Sequence, residues 1–282
     1  MSTITPVRPS PLAGMWYPGN PDILRRNVLR DLDAAELPEL AGDVLALISP
    51  HAGHQYSGPV AGYAFAAVRG RSHDLVAVIS PMHQPYLEPL LTTAHQAYAT
   101  PLGDVPVDRS AVNSLDASLR DRLGYGLSQV AYDREHSLEI ELPFLQCALQ
   151  PGFQLLPVML RSQDPVTAEA LGRELARTLK GRNALLVAST DLSHFYDQPT
   201  ARELDTAMLT CFERFDPQAV FDLEESGKGQ ACGHAAVAAV LWAAKELGAD
   251  GVRVLRYATS GDVTGDYDSV VGYGAAVVLK SR

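Results

Sequence analysis

At 282 residues, 46% of them hydrophobic, the chain is long enough to bury a sizeable core. Its formal charge of -10 argues against nucleic acid or an anionic membrane surface as the main partner. The three cysteines, Cys147, Cys211 and Cys232, are odd in number and widely spaced; this excludes a disulfide framework or a paired-cysteine zinc knuckle, and a reducing cytoplasm is the expected setting.

Residues 1–11 lack the apolar centre of a signal peptide, and no apolar run approaches a membrane span. Residues 1–18 are expected to form an irregular arm packed on the rest. Arg8 to Pro18 is proline-rich, yet it carries Met15, Trp16 and Tyr17, bulk that a free tail does not usually hold. Asn20-Pro21 reads as a helix start, with proline at the first helical position and Leu24, Val28 and Leu32 as one apolar stripe. An apolar strand, Val44 to Ile48, then runs into Ser49-Pro50-His51, and a small-residue helix follows from Gly58 to Val68. The device repeats: the run Leu75 to Ile79 leads into Ser80-Pro81-Met82-His83. Proline has no N–H for a sheet ladder, so each histidine is expected just past the carboxyl end of a strand. That edge is where open α/β sheets bind ligands.

Residues 89–98 read as an added strand, and Asp108 to Leu123 as a helix stopped by Gly124. Glu135 to Leu149 is helical in period, with Pro143 either kinking the helix or starting it afresh. A strand over Gln154 to Leu160 and a helix over Pro165 to Leu179 precede the apolar strand Ala184 to Ser189, which delivers Thr190-Asp-Leu-Ser-His194. Helices over Pro199 to Phe215, Pro217 to Glu225 and Cys232 to Leu247 follow, and then strands over Val252 to Ala258 and Tyr273 to Leu279. The expected fold is α/β: one domain over 1–282, with a mostly parallel central sheet flanked by helices.

Four of the eight histidines sit at element ends, namely His51, His83, His136 and His194, and strands bring three of them to the same edge. Two imidazoles there look like a metal site wanting a third ligand. Cys232, placed at the start of an alanine-rich helix, either supplies it as a thiolate favoured by the helix N-terminus or is a small residue buried at a tight turn. A thiolate and two imidazoles hold a divalent first-row metal with positions left open. Asp191 and His194 read either as an acid/base histidine with its orienting carboxylate or as helix-cap chemistry. Glu135 and Glu139 are either hydrogen-bond partners of His136 or an exposed helix face. His95 reads as a surface contact. A thiol enzyme, with Cys232 as nucleophile and His194 or His136 as its base, is a further alternative.

These motifs occur together. Pro50-His-Ala-Gly53 with Tyr56-Ser-Gly58, Glu135-His-Ser137 with Leu142-Pro143, Ser189-Thr-Asp-Leu-Ser-His194, Ala231-Cys-Gly233, and Thr259-Ser-Gly-Asp262 with Val270-Val-Gly-Tyr273 resemble the Memo family. Arg8-Pro9, Ala13-Gly14 and Trp16-Tyr-Pro18 match it too. Bacterial and archaeal members are often labelled AmmeMemoRadiSam system protein B. The family is similar in fold to the class III extradiol ring-cleaving dioxygenases, which are non-haem iron(II) enzymes. The resemblance implies His51, His83 and Cys232 as metal ligands, where the dioxygenases use a glutamate in the third place. It also implies His194 as acid/base histidine and His136 lining the same pocket; Asp191 joins them as the orienting carboxylate read from the residues themselves.

Iron(II) is the metal expected first, with copper or zinc as alternatives. The implied function is a redox or oxygenase-type enzyme acting on a small molecule. Its alternative is a metal- or partner-binding module without turnover, working with AMMECR-type and radical-SAM proteins. Two departures from the family pattern stand out. His54 occupies a place where the family commonly has an aromatic, and Ser80-Pro-Met-His83 with Gln84 replaces Gly-Pro-Asn/Ser-His. His54, Tyr56, Met82 and Gln84 are therefore candidate pocket residues, with His54 a candidate extra ligand or acid/base group.

Overall fold

The computed structural model describes residues 4–281; the first three residues of the expected arm, and Arg282, lie outside it. The chain opens with strand β1 (Val7–Arg8) and helix α1 (Pro21–Asp33). The Asn20 side chain caps α1 by accepting the amides of Asp22 and Ile23, and Leu24, Val28 and Leu32 are buried as its stripe demands. Next come β2 (Asp43–Ser49), α2 (His54–Ala66), β3 (Leu75–Pro81), β4 (Leu90–Thr93), β5 (Ala97–Tyr98), β6 (Val105–Pro106) and α3 (Arg109–Leu123). The Asp108 side chain caps α3, and the helix stops where Gly124 turns left-handed at φ 80°.

Strand β7 (Ser128–Val130) and helix α4 (Leu142–Ala148) lead to β8 (Gln154–Leu160), α5 (Pro165–Leu179) and β9 (Ala184–Ser189). The chain ends with β10 (His194–Tyr196), α6 (Gln198–Glu213), α7 (Pro217–Glu225), α8 (His234–Glu246), β11 (Gly251–Thr259), α9 (Gly261–Thr264) and β12 (Val270–Lys280).

Among the described residues nine strands form one sheet in the order β10-β12-β2-β9-β3-β8-β4-β7, with β11 paired to β12. Its centre is parallel: Leu47 is in register with Val187, Val187 with Val78, and Val78 with Pro157. At the flanks β12 runs antiparallel to β2, and β4 antiparallel to β8. Every residue of β3 is buried, as a parallel strand covered on both faces requires. Helix α8 packs on β9, β3 and β2, with α5 against it, while α2 lies on β2, β11 and β12 with α1 outside. Gly172 lets α5 approach α8 closely, because a Cβ there would stand 2.5 Å from the Ala239 carbonyl oxygen. A three-stranded sheet, β1-β5-β6, ties the N-terminal arm down.

This order decides where the chemistry sits. Strands β2, β9 and β3 are adjacent and parallel, so their carboxyl ends lie side by side, and the segments after them carry His51, Asp191 to His194, and Met82-His83.

Three local expectations change. Ser80 and Pro81 still pair with Met159 and Leu160, so β3 runs two residues further than expected and includes its proline. Residues 135–138 are not helical; a 3-10 turn at Glu139–Glu141 leads into α4, where Pro143 falls in the first turn and starts the helix afresh. Helix α8 begins at His234, so Cys232 precedes it instead of opening it.

Candidate metal centre

Three imidazoles converge at the sheet edge. His51, His83 and His136 offer ligand atoms that all lie within 4.8 Å of one another. Their ring centroids are 5.4 Å apart for His51 and His83, 5.3 Å for His51 and His136, and 4.6 Å for His83 and His136. His51 is buried, His136 half-buried and His83 exposed, so the cluster runs from the core to an open mouth. The ring of Trp16, from the N-terminal arm, lies against His136 at 4.4 Å.

The second nitrogen of two of these rings, His51 and His83, is already committed. His51 Nδ1 lies 2.8 Å from Ser189 Oγ, which is also 2.6 Å from the Ser137 carbonyl oxygen and 2.7 Å from Glu141 Oε1. A hydroxyl has one proton, and the Ser137 carbonyl can only accept it. The proton therefore goes to Ser137, and both His51 Nδ1–H and a protonated Glu141 donate to Ser189. This tautomer leaves the His51 Nε2 lone pair free for an ion. Burial pushes the Glu141 carboxyl up to about 8, which agrees with a neutral acid.

Glu135 orients the His83 ring and lies beside that of His136. Its Oε1 is 2.9 Å from His83 Nδ1 and 3.2 Å from His136 Nδ1. It also accepts the backbone N–H groups of His83, His136 and Ser137 at 2.6, 2.9 and 3.0 Å. Burial alone would raise its carboxyl. The hydrogen bond and charge of His83, then the charge of His136 and the Ser137 amide, outweigh that and hold it well below the usual range. Burial keeps His51 and His136 neutral: His51 falls well below 6.5, helped by the neighbouring imidazoles, and His136 falls to about 4 despite Glu135. Neutral imidazole is the form that ligates a metal.

Cys232 stands beside this group. Its Sγ is 3.1 Å from His51 Nε2 and accepts the Asp191 N–H at 3.3 Å. Burial first, and then the Asp191 carboxyl, push the Cys232 thiol up, against the thiolate alternative read from its place near a helix start. The donor atoms that all lie within 4.8 Å of one another are those of His51, His83 and His136; Cys232 approaches one of these rings, His51, and is not in that group. A nitrogen at about 2.1 Å and a sulfur at about 2.3 Å in tetrahedral array are ~3.6 Å apart, so this pair would open by only about half an ångström.

Asp191 is no helix cap, since no helix follows it; its Oδ1 accepts the His51 N–H at 2.7 Å and holds that turn in place. Burial pushes its carboxyl up to about 7, against the amides of His51 and Ala52 and the charge of His83. His194 Nδ1 donates to the Leu192 carbonyl at 2.8 Å, which leaves Nε2 free, and burial, with His83, lowers its pKa. Next to it Phe195 is left-handed at φ 65°, where the pairing of β10 with β12 shifts register.

His54 lies apart from the cluster. Its ring packs between Tyr17 and Phe144 at 5.3 and 4.9 Å, its Nε2 donates to the Ile140 carbonyl at 3.0 Å, and burial lowers it to about 4. Met82 is buried, and Tyr56 and Gln84 are half-buried. His95 is not at the surface: it is buried, with Nδ1 2.7 Å from the Thr5 carbonyl and Nε2 accepting the Tyr132 N–H at 3.2 Å.

Sequence reasoning missed Ser189, Glu141 and Trp16 as parts of the site. The matching serines that end β2 and β9 and precede Pro81 in β3 were a usable sign of Ser189; nothing local marked Glu141.

A cluster of imidazoles at the carboxyl edge of a parallel sheet core, with a thiol beside it, defines an α/β protein built around a candidate metal centre. The Memo-like protein family model matches residues 8–277, and the chain belongs to that family. A MEMO1 family protein of Methanococcoides burtonii is 35% identical over 274 residues, covering 96% of this chain and 100% of its own. One from Thermotoga neapolitana is 36% identical over 283 residues, with 96% and 99% covered, and one from Nitrosopumilus maritimus 33% over 278 residues, with 95% and 98% covered.

Proposed function

We propose that this protein holds a first-row divalent metal, iron(II) foremost, through His51, His83 and Cys232, with His136 alongside, and uses it in redox or oxygenase-type chemistry on a small molecule. The observation that carries this reading is the convergence of His51, His83 and His136 at one sheet edge, with two of the rings oriented: His51 and His83 commit Nδ1 to a serine and a carboxylate oxygen, which leaves their Nε2 for an ion. Such a metal supplies Lewis acidity and one-electron chemistry when bound. The sulfur ligand is soft, and it moves the preference toward copper or zinc relative to an all-carboxylate site.

The chain's own residues do the rest. Glu135 fixes the His83 ring and holds the His136 backbone with one carboxylate, and exposed His83 marks the side from which a substrate approaches. His194, with Nε2 free, moves a proton at that mouth.

The alternative thiol enzyme gains one specific support, because Cys232 already contacts an imidazole. Its base would then be His51, not His194 or His136. Anaerobic metal analysis of the wild type beside Cys232→Ser and His51→Ala separates the two. Metal bound by the wild type and lost in both variants supports the metal reading. Absence of metal from all three, with a Cys232 that alkylates readily at neutral pH, overturns it in favour of the thiol.

A further inference from the structure

Arg8 is 1% exposed, yet it binds acids some 125 residues away in sequence. Its Nε and Nη2 grip the Asp133 carboxylate at 3.0 and 2.8 Å, and Nη1 bonds Glu139. Nη2 also reaches the carbonyl oxygens of Asp133 and Glu135 at 3.2 and 3.0 Å. Tyr17 and Ser10, from the same arm, donate to the other Glu139 oxygen. Segment 133–139 has no helix or strand until its last residue, so the arm gives it shape.

A buried ion pair is seldom the most stable way to join two segments, since apolar side chains of similar volume do as well or better. What apolar contacts do not provide is orientation, and a planar guanidinium fork does. Asp133, Glu135 and Glu139 are all buried; Arg8 pairs with two of them and holds only the backbone of the third. The Glu135 carboxylate is thereby left for the histidines.

We propose that Arg8 is a positioning residue for the histidine cluster: it holds the 133–139 segment where the Glu135 carboxylate reaches both His83 and His136. The geometry stands on its own, while the consequence for metal rests on the function proposed above.

The test uses the full chain with Arg8→Lys, which keeps the charge and removes the fork, and Asp133→Asn as a second variant should the first fail to fold. Two readouts are taken: the ring nitrogen signals of the histidines in metal-free protein, and cobalt(II) affinity by chelator competition. The expected result is displaced signals for His83 and His136, unmoved signals for His73 and His234, and cobalt affinity lower by about 10- to 100-fold. Unchanged His83 and His136 signals in the folded variant overturn the proposal, as does a general shift that includes His73 and His234. Wild-type protein that binds no cobalt, with the two rings still displaced in the variant, sinks the metal reading and leaves the positioning role standing.

Discussion

Glu141 is fully buried, with one carboxyl oxygen on Ser189, and replacing it with glutamine tests whether it carries a proton. Glutamine keeps the shape and can donate to Ser189 as the acid does. In the folded protein the carboxyl is pushed up from 4.5 to about 8. Between those values the folded state keeps a proton that the unfolded chain releases, so wild-type stability falls as pH rises through the window and stops falling above the upper value. At 1.36 kcal/mol per unit, the loss between about pH 5.5 and about pH 8.5 is on the order of 3 kcal/mol. Glu141→Gln has no such slope. Urea denaturation of both proteins across that range should show the variant gaining on the wild type by roughly this amount. Asp191, raised to about 7, slopes the same way but is present in both proteins. A stability difference that does not change with pH would refute the neutral-acid reading; the His51 tautomer would stand, because Ser189 would then spend its one proton on an acceptor and still take Nδ1–H.

Glu135 behaves in the opposite sense. Its depressed carboxyl contributes stability that is complete above the ordinary carboxylate range near 4.3 and drains away as pH falls toward its own low value. Glu135→Gln should lose about 2–4 kcal/mol at neutral pH, show a shallower acid limb in urea melts, and bind metal about 10- to 100-fold more weakly. Gly233→Ala would put a Cβ 2.4 Å from the Ser189 carbonyl oxygen and 2.8 Å from Thr190 Cβ. The start of α8 must then shift, at about 1–3 kcal/mol, and carry Cys232 away from His51. Thermal denaturation and the rate of Cys232 alkylation check both effects; an unchanged rate in a destabilised protein would show that the Gly233 approach does not position the thiol.

What the sequence determined by itself is the part governed by neighbours along the chain. Asn20-Pro21, Asp108 with Gly124, and Asp164-Pro165 mark helix ends because a cap is a bond between residues two to four apart. The apolar runs at 44–48, 75–79 and 184–189 are strands for the same local reason, and parallel pairing then puts His51, His83 and His194 at one edge. Tertiary structure alone decided the rest. Residues 135–138 have a helical period, but the Glu135 carboxylate binds the amides of His83, His136 and Ser137, and Arg8 pulls on its carbonyl; those bonds replace a helical turn and bring His136 into the cluster. Whether Cys232 is thiol or thiolate, and whether Glu141 keeps its proton, depends on burial and on partners from other strands. Long-range packing sets those electrostatics, and no local pattern encodes them.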